Sequence, residues 1–510
     1  MPVEIELKLQ LDPRHVARLR NHPLLKRATH HASRKLYSVY YDTPDLDLWR
    51  AGIALRLRRT GEHWLQTIKS GGRVTAGLHQ RHEFESGVVA PFPDFTAIDD
   101  PELAAHLASA ELRTHLKPMI VTEFTRASCV LAPAERVAIE ASIDCGIIKS
   151  GDATEPICEL ELEVKAGPAW RAYQAALHLL EAAPMLIENR SKAERGFALH
   201  QGALSKPLKA APSPLAQGMT ANDAFKALVQ ACLAHYIANQ RGMLEGDDRE
   251  YLHQMRVALR RLRSVLSTFS PLFPAAVLEP PLTEIRWLSR ILSPARDWDV
   301  FAAETLAPVT ARYAGHAGMA AVARSAAHLR QAANGTARRA VASARGQGLL
   351  LALGGWISAE TWVAALDDEQ RRGLQQPAVE FARTVLEAAL RRVAKRGKHF
   401  DSLAPPALHR LRIATKKLRY AAEFFAPLYD GDKARDYRAA LIRSQDALGA
   451  YNDAVTVTRL AARASRGLKG AAANEARGIM LGWSAGIQDA GTRHLKRIWK
   501  EFRAASPFWD

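Results

Sequence analysis

Charged residues alternate with apolar ones in several short segments of the first two hundred residues, and their types could bind a cation and an anion together. The segments are Glu4-x-Glu6-x-Lys8, Arg56-x-Arg58, Arg81-x-Glu83-x-Glu85, Glu140 with Asp144, and Glu159-x-Glu161-x-Glu163. Alternate residues of a β-strand share one face, so each segment would carry its charges on a single face. For one such strand, a polar face turned to solvent is the commoner explanation. Five of them favour a closed barrel with the charged faces inside.

An interior of this kind is costly unless its charges pair with one another or meet a ligand. Carboxylates prefer hard divalent cations such as Mg²⁺, whereas arginine and lysine side chains suit phosphate oxygens. A site with both therefore suits a metal-bridged polyphosphate. The sequence contains no P-loop glycine signature, which disfavours a Walker-type ATPase.

The elements that must position these charges are short strands with period-2 alternation. The predicted strands are Val3–Leu9, Lys35–Tyr41, Ile53–Arg59, Trp64–Lys69, His79–Glu85, Val121–Leu131, Arg136–Asp144 and Ile157–Lys165. Eight antiparallel strands are enough to close a sheet on itself. Helical patterns fall at Asp12–Arg20, Pro101–Leu116 and Pro168–Glu181, so we expect a barrel with flanking helices.

The rest of the 510-residue chain has a different character. Residues 1–200 contain 25 basic and 26 acidic residues, and residues 201–510 contain 45 and 27. The excess of positive charge in the second part predicts a polyanionic partner. A proline-marked linker is predicted at residues 205–218, between domains at 1–204 and 219–510. Long helical patterns with few β-branched runs make the second domain all-α.

Two basic stripes repeat within that helical part, and they divide it into copies at about 219–376 and 377–510. The first stripe comprises His253, Arg256, Arg260 and Arg263, flanked by Arg261, and the second comprises His409, Arg412, Lys416 and Arg419, flanked by Lys417. On a helix, these offsets of 3, 7 and 10 residues keep the side chains on one face. Leu292 and Asp297 follow the first histidine at the same offsets as Leu448 and Asp453 follow the second. A solvated charged face remains the alternative to an anion-binding surface.

The first two hundred residues resemble a CYTH domain of the triphosphate tunnel metalloenzyme group. The resemblance rests on Glu4-x-Glu6-x-Lys8, Tyr41-Asp42-Thr43, Ala54-Leu55-Arg56-Leu57-Arg58, Thr67-x-Lys69, Arg81-x-Glu83-x-Glu85, Glu159-x-Glu161-x-Glu163 and Ser191-Lys192. It implies an eight-stranded antiparallel tunnel that holds a triphosphate. The implied substrate-binding residues are Lys8, Arg56, Arg58, Lys69, Arg81, Arg126 and Lys192. The implied metal ligands, for Mg²⁺ or Mn²⁺, are Glu4, Glu6, Asp144, Glu159, Glu161 and Glu163. For the hydrolysis itself we expect Glu161 and Glu163 to act with Lys8 and Arg58.

The second part resembles a CHAD domain, on the two basic stripes and on Leu292-Ser-Pro-Ala-Arg296-Asp297 with its counterpart Leu448-Gly449-Ala-Tyr-Asn452-Asp453. The resemblance implies two four-helix halves with a basic groove that binds inorganic polyphosphate. The ten residues of the two stripes and their flanks are the candidates for this groove. Metal binding by His253 or His409 is the minority interpretation, because neither has a second ligand four residues on.

Together these features predict a metal-dependent inorganic triphosphatase that splits tripolyphosphate into diphosphate and phosphate and is tethered to a polyphosphate-binding helical domain. The alternatives are a non-catalytic polyphosphate scaffold, or an adenylate cyclase or thiamine triphosphatase activity in the tunnel. Nucleic acid is disfavoured because aromatic residues, apart from Tyr420, do not interleave with the basic stripes. Neither a membrane-spanning helix nor a secretory signal is predicted. We therefore expect a cytoplasmic protein, with association with polyphosphate granules as a further option.

Overall fold

The structure is a computed structural model that describes residues 3–89, 91–96, 98, 100–202 and 206–509. Within these ranges, the side chains of residues 60, 102, 106, 450–454 and 487–493 are not described. The chain divides into two compact units. The first contains residues 1–206 and 342–361, and the second contains residues 207–341 and 362–510. No helix in the described ranges is long and apolar enough to cross a membrane.

The first unit is a closed antiparallel ring. Its strands are β1 (Val3–Leu11), β2 (Thr29–Asp42), β3 (Ile53–Thr60), β4 (His63–Thr75), β5 (Leu78–Val88), β6 (Lys117–Leu131), β7 (Ala138–Ser150), β8 (Ala153–Ala166) and the short β9 (Met185–Ile187). Their order is β5-β4-β3-β2-β6-β7-β8-β1, and β1 pairs with β5 to close the ring. Strand β9 adds to β1 beyond the end of β5. The predicted eight-stranded antiparallel barrel is confirmed.

Helices cover the outside of this ring. They are α1 (Val16–Arg20), α2 (Pro23–Lys26), α3 (Asp47–Arg50), α4 (Pro101–Leu107), α5 (Ala110–His115), α6 (Trp170–Leu180) and α7 (Lys192–His200). The outward residues of the strands are apolar: Leu55, Leu57 and Ile68 pack in one buried cluster with Leu103 and Leu107 of α4. Because apolar faces turn outward to the helices, the polar faces of the same strands turn into the ring.

The second unit is all-helical, as predicted. The remaining helices of the chain are α8 (Ala221–Ala238), α9 (Gln240–Glu245), α10 (Arg249–Phe269), α11 (Ala275–Val300), α12 (Ala307–Arg312), α13 (Ala317–Ala342), α14 (Ala344–Ala359), α15 (Asp368–Gln375), α16 (Ala378–Arg396), α17 (Pro405–Phe425), α18 (Gly431–Ala464), α19 (Ala471–Arg493) and α20 (Leu495–Ala504). Helix α10 packs between α8 and α11, and α17 packs between α16 and α18. The two basic stripes therefore occupy equivalent positions in two helical halves.

Two segments differ from the simple partition at residues 205–218. Residues 206–215 have no regular structure, yet Ser213 donates a hydrogen bond to the Phe424 carbonyl and Leu215 is buried, so this stretch packs on the second unit. Helix α14, by contrast, packs on α6 and β9 of the first unit. Neither contact is visible in local composition, because both join residues more than a hundred positions apart.

Candidate functional site

The interior of the ring is a cavity of about 450 Å³ whose wall consists mostly of charged residues. Its charged wall residues are Glu4, Glu6, Lys8, Arg34, Lys35, Arg56, Arg58, Arg59, Lys69, Arg81, Glu83, Glu85, Arg126, Glu140, Glu161, Glu163, Lys165 and Lys192. The volume is in the range of small-ligand sites. Most of the sequence-predicted tunnel residues are thus brought to one surface.

The strand register explains how distant motifs meet. Glu6 lies opposite Glu163 and Lys8 lies opposite Glu161 in the β1–β8 pair. Directly opposite residues of antiparallel strands place their side chains on the same face. The N-terminal Glu-x-Glu-x-Lys motif and the Glu-x-Glu-x-Glu motif therefore form one patch of the cavity wall.

Around this patch lies a buried cluster of alternating charges. The Lys8 ammonium is 2.8 Å from a Glu6 carboxylate oxygen and also contacts Glu161. The Arg126 guanidinium donates two hydrogen bonds to Asp144, at 2.8 and 2.7 Å, and contacts Glu161 as well. Glu161 thereby receives several cationic donors, which suits a buried carboxylate.

The remaining cation of the cluster, Lys192, comes from a helix rather than a strand. Ser191 begins α7 with a capping box in which its hydroxyl accepts from the Glu194 backbone N–H. This cap sets Lys192 in the first turn of α7. Its ammonium is 2.7 Å from Asp144 and 2.9 Å from Glu161, and it also contacts Glu159.

The electrostatic consequences follow from burial and pairing. Burial alone would raise the pKa of Glu161, but Lys192, Lys8 and Arg126 hold it well below its usual value. Burial would likewise raise the pKa of Glu6, and Lys8 nevertheless lowers it to about 2. For Lys8, burial opposes the charge while Glu161 and Glu6 raise the pKa. All three groups are therefore charged at neutral pH.

Glu4 behaves differently. Burial, followed by repulsion from Glu6, raises its pKa to about 7, although Lys69 contacts it. Lys69 is shared with Glu83, at 3.3 Å. Two neighbouring carboxylates that disfavour joint ionisation form a site whose repulsion a divalent cation would relieve.

Glu163 is the least enclosed of the four β8 carboxylates. Its side chain is 26% exposed and pairs with Lys165 at 2.6 Å, and Lys165 lies 3.9 Å from Glu140. Burial raises the pKa of Glu163, which Lys165 only partly offsets. Glu163 thus combines access to the cavity with a carboxylate that accepts a proton more readily than Glu161.

Arg58 stands out among the predicted phosphate ligands, because in the part of the chain that the structure describes no carboxylate lies within 4 Å of it. Its Nε donates to the Ser38 hydroxyl at 3.2 Å. Burial, then repulsion from Arg56 and Arg126, lowers its pKa to about 9. Arg56 donates to Thr67 at 2.8 Å and has carboxylates of Glu83 and Glu85 no closer than 3.8 Å. Among the predicted phosphate ligands, these two guanidiniums have the weakest pairing with carboxylates.

A buried acidic cluster that could bind a metal ion consists of Asp144, Glu159 and Glu161, whose carboxylate oxygens lie within 4.8 Å of one another. Asp144 and Glu159 lie behind the cavity wall, and Lys192 already contacts all three residues. Glu159 also pairs with Arg195 at 2.8 Å. Of the predicted metal ligands, Glu4, Glu6, Glu161 and Glu163 line the cavity, and they form an all-oxygen donor set of the kind that hard divalent cations require.

Sequence reasoning missed some residues around this site. Arg195 is buried, binds Glu159 and also pairs with Glu155 at 3.0 Å; its position three residues after Lys192, on the same helix face, was the available signal. Arg81 lines the cavity as predicted, but it also pairs with Glu194 of α7 at 3.0 Å. Arg34 and Arg59 line the wall outside any motif.

In the second unit, the two stripes meet in a groove of about 720 Å³ between α10 and α17. Its basic residues are Arg260, Arg263, Arg286, Arg392, Lys416 and Lys417. Lys417 lies near α10, since its ammonium is 3.4 Å from the Ser267 hydroxyl. Burial, then repulsion from Arg412, Arg260 and Arg263, lowers the pKa of Lys416 to about 8. We call this surface the basic groove.

Not every residue of the stripes faces the groove. Arg261 is buried and pairs with Glu423, which also accepts from Arg419 at 3.2 Å. Arg256 donates to Ser293, and among the described residues the buried Nε atoms of Arg256, Arg260 and Arg412 have no hydrogen-bond partner. Arg261 and Arg419 thus share an ion pair with Glu423, whereas these three arginines keep an unused donor.

The predicted histidines differ from each other. His253 is partly buried, and burial followed by Arg296 lowers its pKa to about 4, so it is neutral at pH 7. His409 is exposed. The acids after the first stripe orient arginines: Asp297 accepts from Arg459 at 3.2 Å and Asp299 from Arg330 at 2.6 Å. The side chain of Asp453 lies outside the described residues.

Comparison with known proteins agrees with both units. A model of the CYTH domain matches residues 2–197, and a model of the CHAD domain matches residues 227–462. The chain is 29% identical over 197 residues to an inorganic triphosphatase of Haemophilus influenzae, over 38% of this chain and 54% of that relative. The chain therefore spans about half the length of that curated relative.

Among solved structures, the CHAD domain of the plant Ricinus communis is 32% identical, covers 59% of this chain and 99% of its own, and superimposes with a TM-score of 0.51. PptA from Streptomyces chartreusis is 20% identical, covers 55% of this chain and 100% of its own, and has a TM-score of 0.42. From the two family models and the Ricinus communis domain we conclude that the chain is a CYTH–CHAD protein, with a CYTH domain at residues 2–197 followed by a CHAD domain at residues 227–462.

Proposed function

We propose that the first unit is a metal-dependent inorganic triphosphatase that hydrolyses tripolyphosphate to diphosphate and phosphate. The observation that carries this proposal is the cavity inside the closed strand ring, which arginines with weak carboxylate pairing and several carboxylates line together. The name of the Haemophilus influenzae relative supports the same reaction. A mixed wall of this kind suits an anion bound together with a cation better than an anion alone.

In this proposal each group has a distinct task. Glu4, Glu6, Glu161 and Glu163 would hold Mg²⁺ or Mn²⁺, which neutralises phosphate charge and polarises the phosphorus centre. Arg56 and Arg58 bind phosphate oxygens through donors that no carboxylate saturates. Lys8, Lys69, Arg126 and Lys192 complete the phosphate-binding wall, while Asp144 and Glu159 balance the charge of Lys192 from behind it.

The hydrolytic step needs an oriented water and a place for its proton. Glu163 is our candidate for the group that orients this water and accepts its proton, because it reaches the cavity and its pKa is raised by burial. The water oxygen attacks the terminal phosphorus, the bond to the bridging oxygen breaks, and diphosphate leaves. Glu161, whose pKa is held low by three cations, keeps its negative charge and holds those cations in place.

We propose further that the basic groove binds inorganic polyphosphate. A surface with repelling cations and buried donors without partners is stabilised by a linear polyanion. Polyphosphate held there would raise the local concentration of phosphate chains through attachment rather than through new chemistry.

The decisive experiment measures phosphate release by the whole protein with Mg²⁺ or Mn²⁺ from tripolyphosphate, long-chain polyphosphate, ATP and thiamine triphosphate. We expect metal-dependent release that is fastest from tripolyphosphate and absent in Glu6→Ala. Faster turnover of ATP or thiamine triphosphate would replace the substrate assignment. No turnover of any substrate would support a scaffold that binds polyphosphate without hydrolysing it.

A further inference from the structure

Helix α14 is part of the first unit although the chain enters and leaves it from residues of the second. Its Gln347 is fully buried, and the side-chain oxygen accepts a hydrogen bond from the Ile187 backbone N–H of β9 at 3.1 Å. Ile187 pairs with Leu9 on the opposite edge of β9. The glutamine therefore satisfies a buried backbone donor that would otherwise have no partner.

From β9 the hydrogen bonds lead to a residue of the cavity wall. The Glu188 N–H donates to the Lys8 carbonyl at 3.0 Å, and the Lys8 N–H donates to the Gly77 carbonyl at 3.0 Å. The Gly77 N–H in turn donates to the Asn189 side chain at 2.9 Å. Both the N–H and the carbonyl of Lys8 are thus hydrogen-bonded. Residues 187–189, which begin at the residue bound by Gln347, supply one of these bonds directly and support the other through Asn189 and Gly77.

Close packing fixes α14 against the ring. Gly354 lies against Tyr173 of α6, where an added Cβ would come within 2.5 Å of the ring, and the Tyr173 hydroxyl donates to the Thr75 carbonyl of β4. Gly348 of the same helix is different, since an added Cβ would meet Leu180 and Leu177 at ordinary distances of 3.7 and 3.9 Å. The helix therefore tolerates no extra atom at Gly354, whereas it has room for one at Gly348.

We propose that α14, through Gln347, is a positioning element of the tunnel that holds the Lys8 backbone in its working geometry. This inference rests on the proposed triphosphatase function for its kinetic readout. It also means that a fragment of the chain that ends at residues 205–218 would lack a helix on which the cavity wall depends.

The test uses the full chain and two matched pairs of variants. Gln347→Met keeps the volume but removes the acceptor, and Gln376→Met makes the same exchange at a glutamine of the second unit whose amide donates only to the nearby Gly373 carbonyl. We expect amide exchange at Ile187 and Glu188 to accelerate about tenfold in Gln347→Met. We also expect kcat for tripolyphosphate to fall severalfold while KM stays within twofold. Misplacing a group of the site slows the reaction more than it weakens the binding of the substrate. Gln376→Met should leave both unchanged.

The second pair is Gly354→Ala and Gly348→Ala, which change helix propensity equally. Only Gly354→Ala should displace α14 and reproduce the kinetic and exchange effects, so it decides the question if Gln347→Met does not fold. Unchanged exchange and unchanged kcat in Gln347→Met and Gly354→Ala would overturn the proposal. If the wild-type protein has no turnover, the triphosphatase function fails; amide exchange and calorimetric binding of tripolyphosphate then still decide whether α14 positions Lys8.

Discussion

The tunnel and the basic groove both concentrate positive charge, but the groups that surround their cations differ. In the tunnel, Lys8, Arg126 and Lys192 each contact at least two carboxylates. In the groove, Lys416 has mainly cations around it, and repulsion adds to burial in lowering its pKa to about 8. These three tunnel cations therefore keep their charge without a ligand, whereas Lys416 of the groove begins to lose its charge near pH 8 unless an anion binds.

This difference separates two kinds of phosphate site. A wall of paired charges is organised before the ligand arrives, and such preorganisation is what stabilises a developing charge in a reaction. A surface of cations that repel one another is not preorganised in this way, but any polyanion that neutralises the cations stabilises it. This difference agrees with the proposal that hydrolysis takes place in the tunnel and that the groove retains polyphosphate, and each half of the proposal can be tested separately.

The first prediction, for which we expect the greatest change, is that substitutions in the tunnel and in the basic groove affect different properties. Glu6→Gln should lower kcat for tripolyphosphate on the order of 100-fold, because it removes a charged ligand from the proposed metal site. Binding of long-chain polyphosphate, measured by calorimetry without divalent metal, should stay within twofold. As the matched variant, Arg260→Gln should weaken polyphosphate binding and leave tripolyphosphate hydrolysis unchanged. Loss of both properties in either variant would show that the two sites are not independent.

A second test compares paired and unpaired arginines inside the tunnel. Arg126→Met removes one of the buried cations that contact Asp144 and Glu161, so the free energy of unfolding should fall by about 3 kcal/mol. Arg58→Met removes a buried cation with no carboxylate partner, so the free energy of unfolding should rise by about 1 kcal/mol. Denaturant unfolding measures both values. Arg58→Met should nevertheless raise KM for tripolyphosphate at least tenfold; a stable variant with normal kinetics would remove Arg58 from the site.

The groove should show the salt dependence of counterion release. A linear polyphosphate carries a dense counterion atmosphere, so the logarithm of its affinity should fall steeply with the logarithm of salt concentration. Replacing Arg263 or Arg260 by Gln should reduce that slope by about 1 each. Arg261→Gln, which alters a buried ion pair with Glu423, should lower thermal stability and leave the slope unchanged. An equal slope change in Arg261→Gln would place its side chain in the groove.

The smallest effect is a pH dependence of polyphosphate binding. The Lys416 pKa is lowered to about 8 in the free groove, and a bound polyanion raises it again. Binding therefore takes up protons near pH 8, and affinity should fall severalfold between pH 7 and pH 9. Lys416→Met should bind more weakly at pH 7 and lose most of this dependence. Calorimetry in buffers of different ionisation enthalpy measures the proton uptake, and no uptake near pH 8 would contradict the assignment.

Much of the tunnel could be predicted because strand periodicity is a local property. The alternation in Val3–Leu11 and Ala153–Ala166 specifies which residues share a face, whatever the partner strand. The pairing of charges was less predictable. Glu159 shares the inward face with Glu161, but Lys192 and Arg195 of α7 enclose it behind the wall. Arg261 flanks its stripe, but it lies beside Glu423. Both outcomes depend on helices that arrive from far along the chain.

The strand and helix patterns, the inward set of charges and the repeated stripes follow from local sequence, since periods of 2.0 and 3.6 residues are local properties. Tertiary packing determines which carboxylates reach the cavity, which arginines remain unpaired, and that residues 342–361 pack with the first unit. Burial and ion pairing depend on contacts between segments that are separated along the chain, and Gln347 reaches Ile187 across 160 positions.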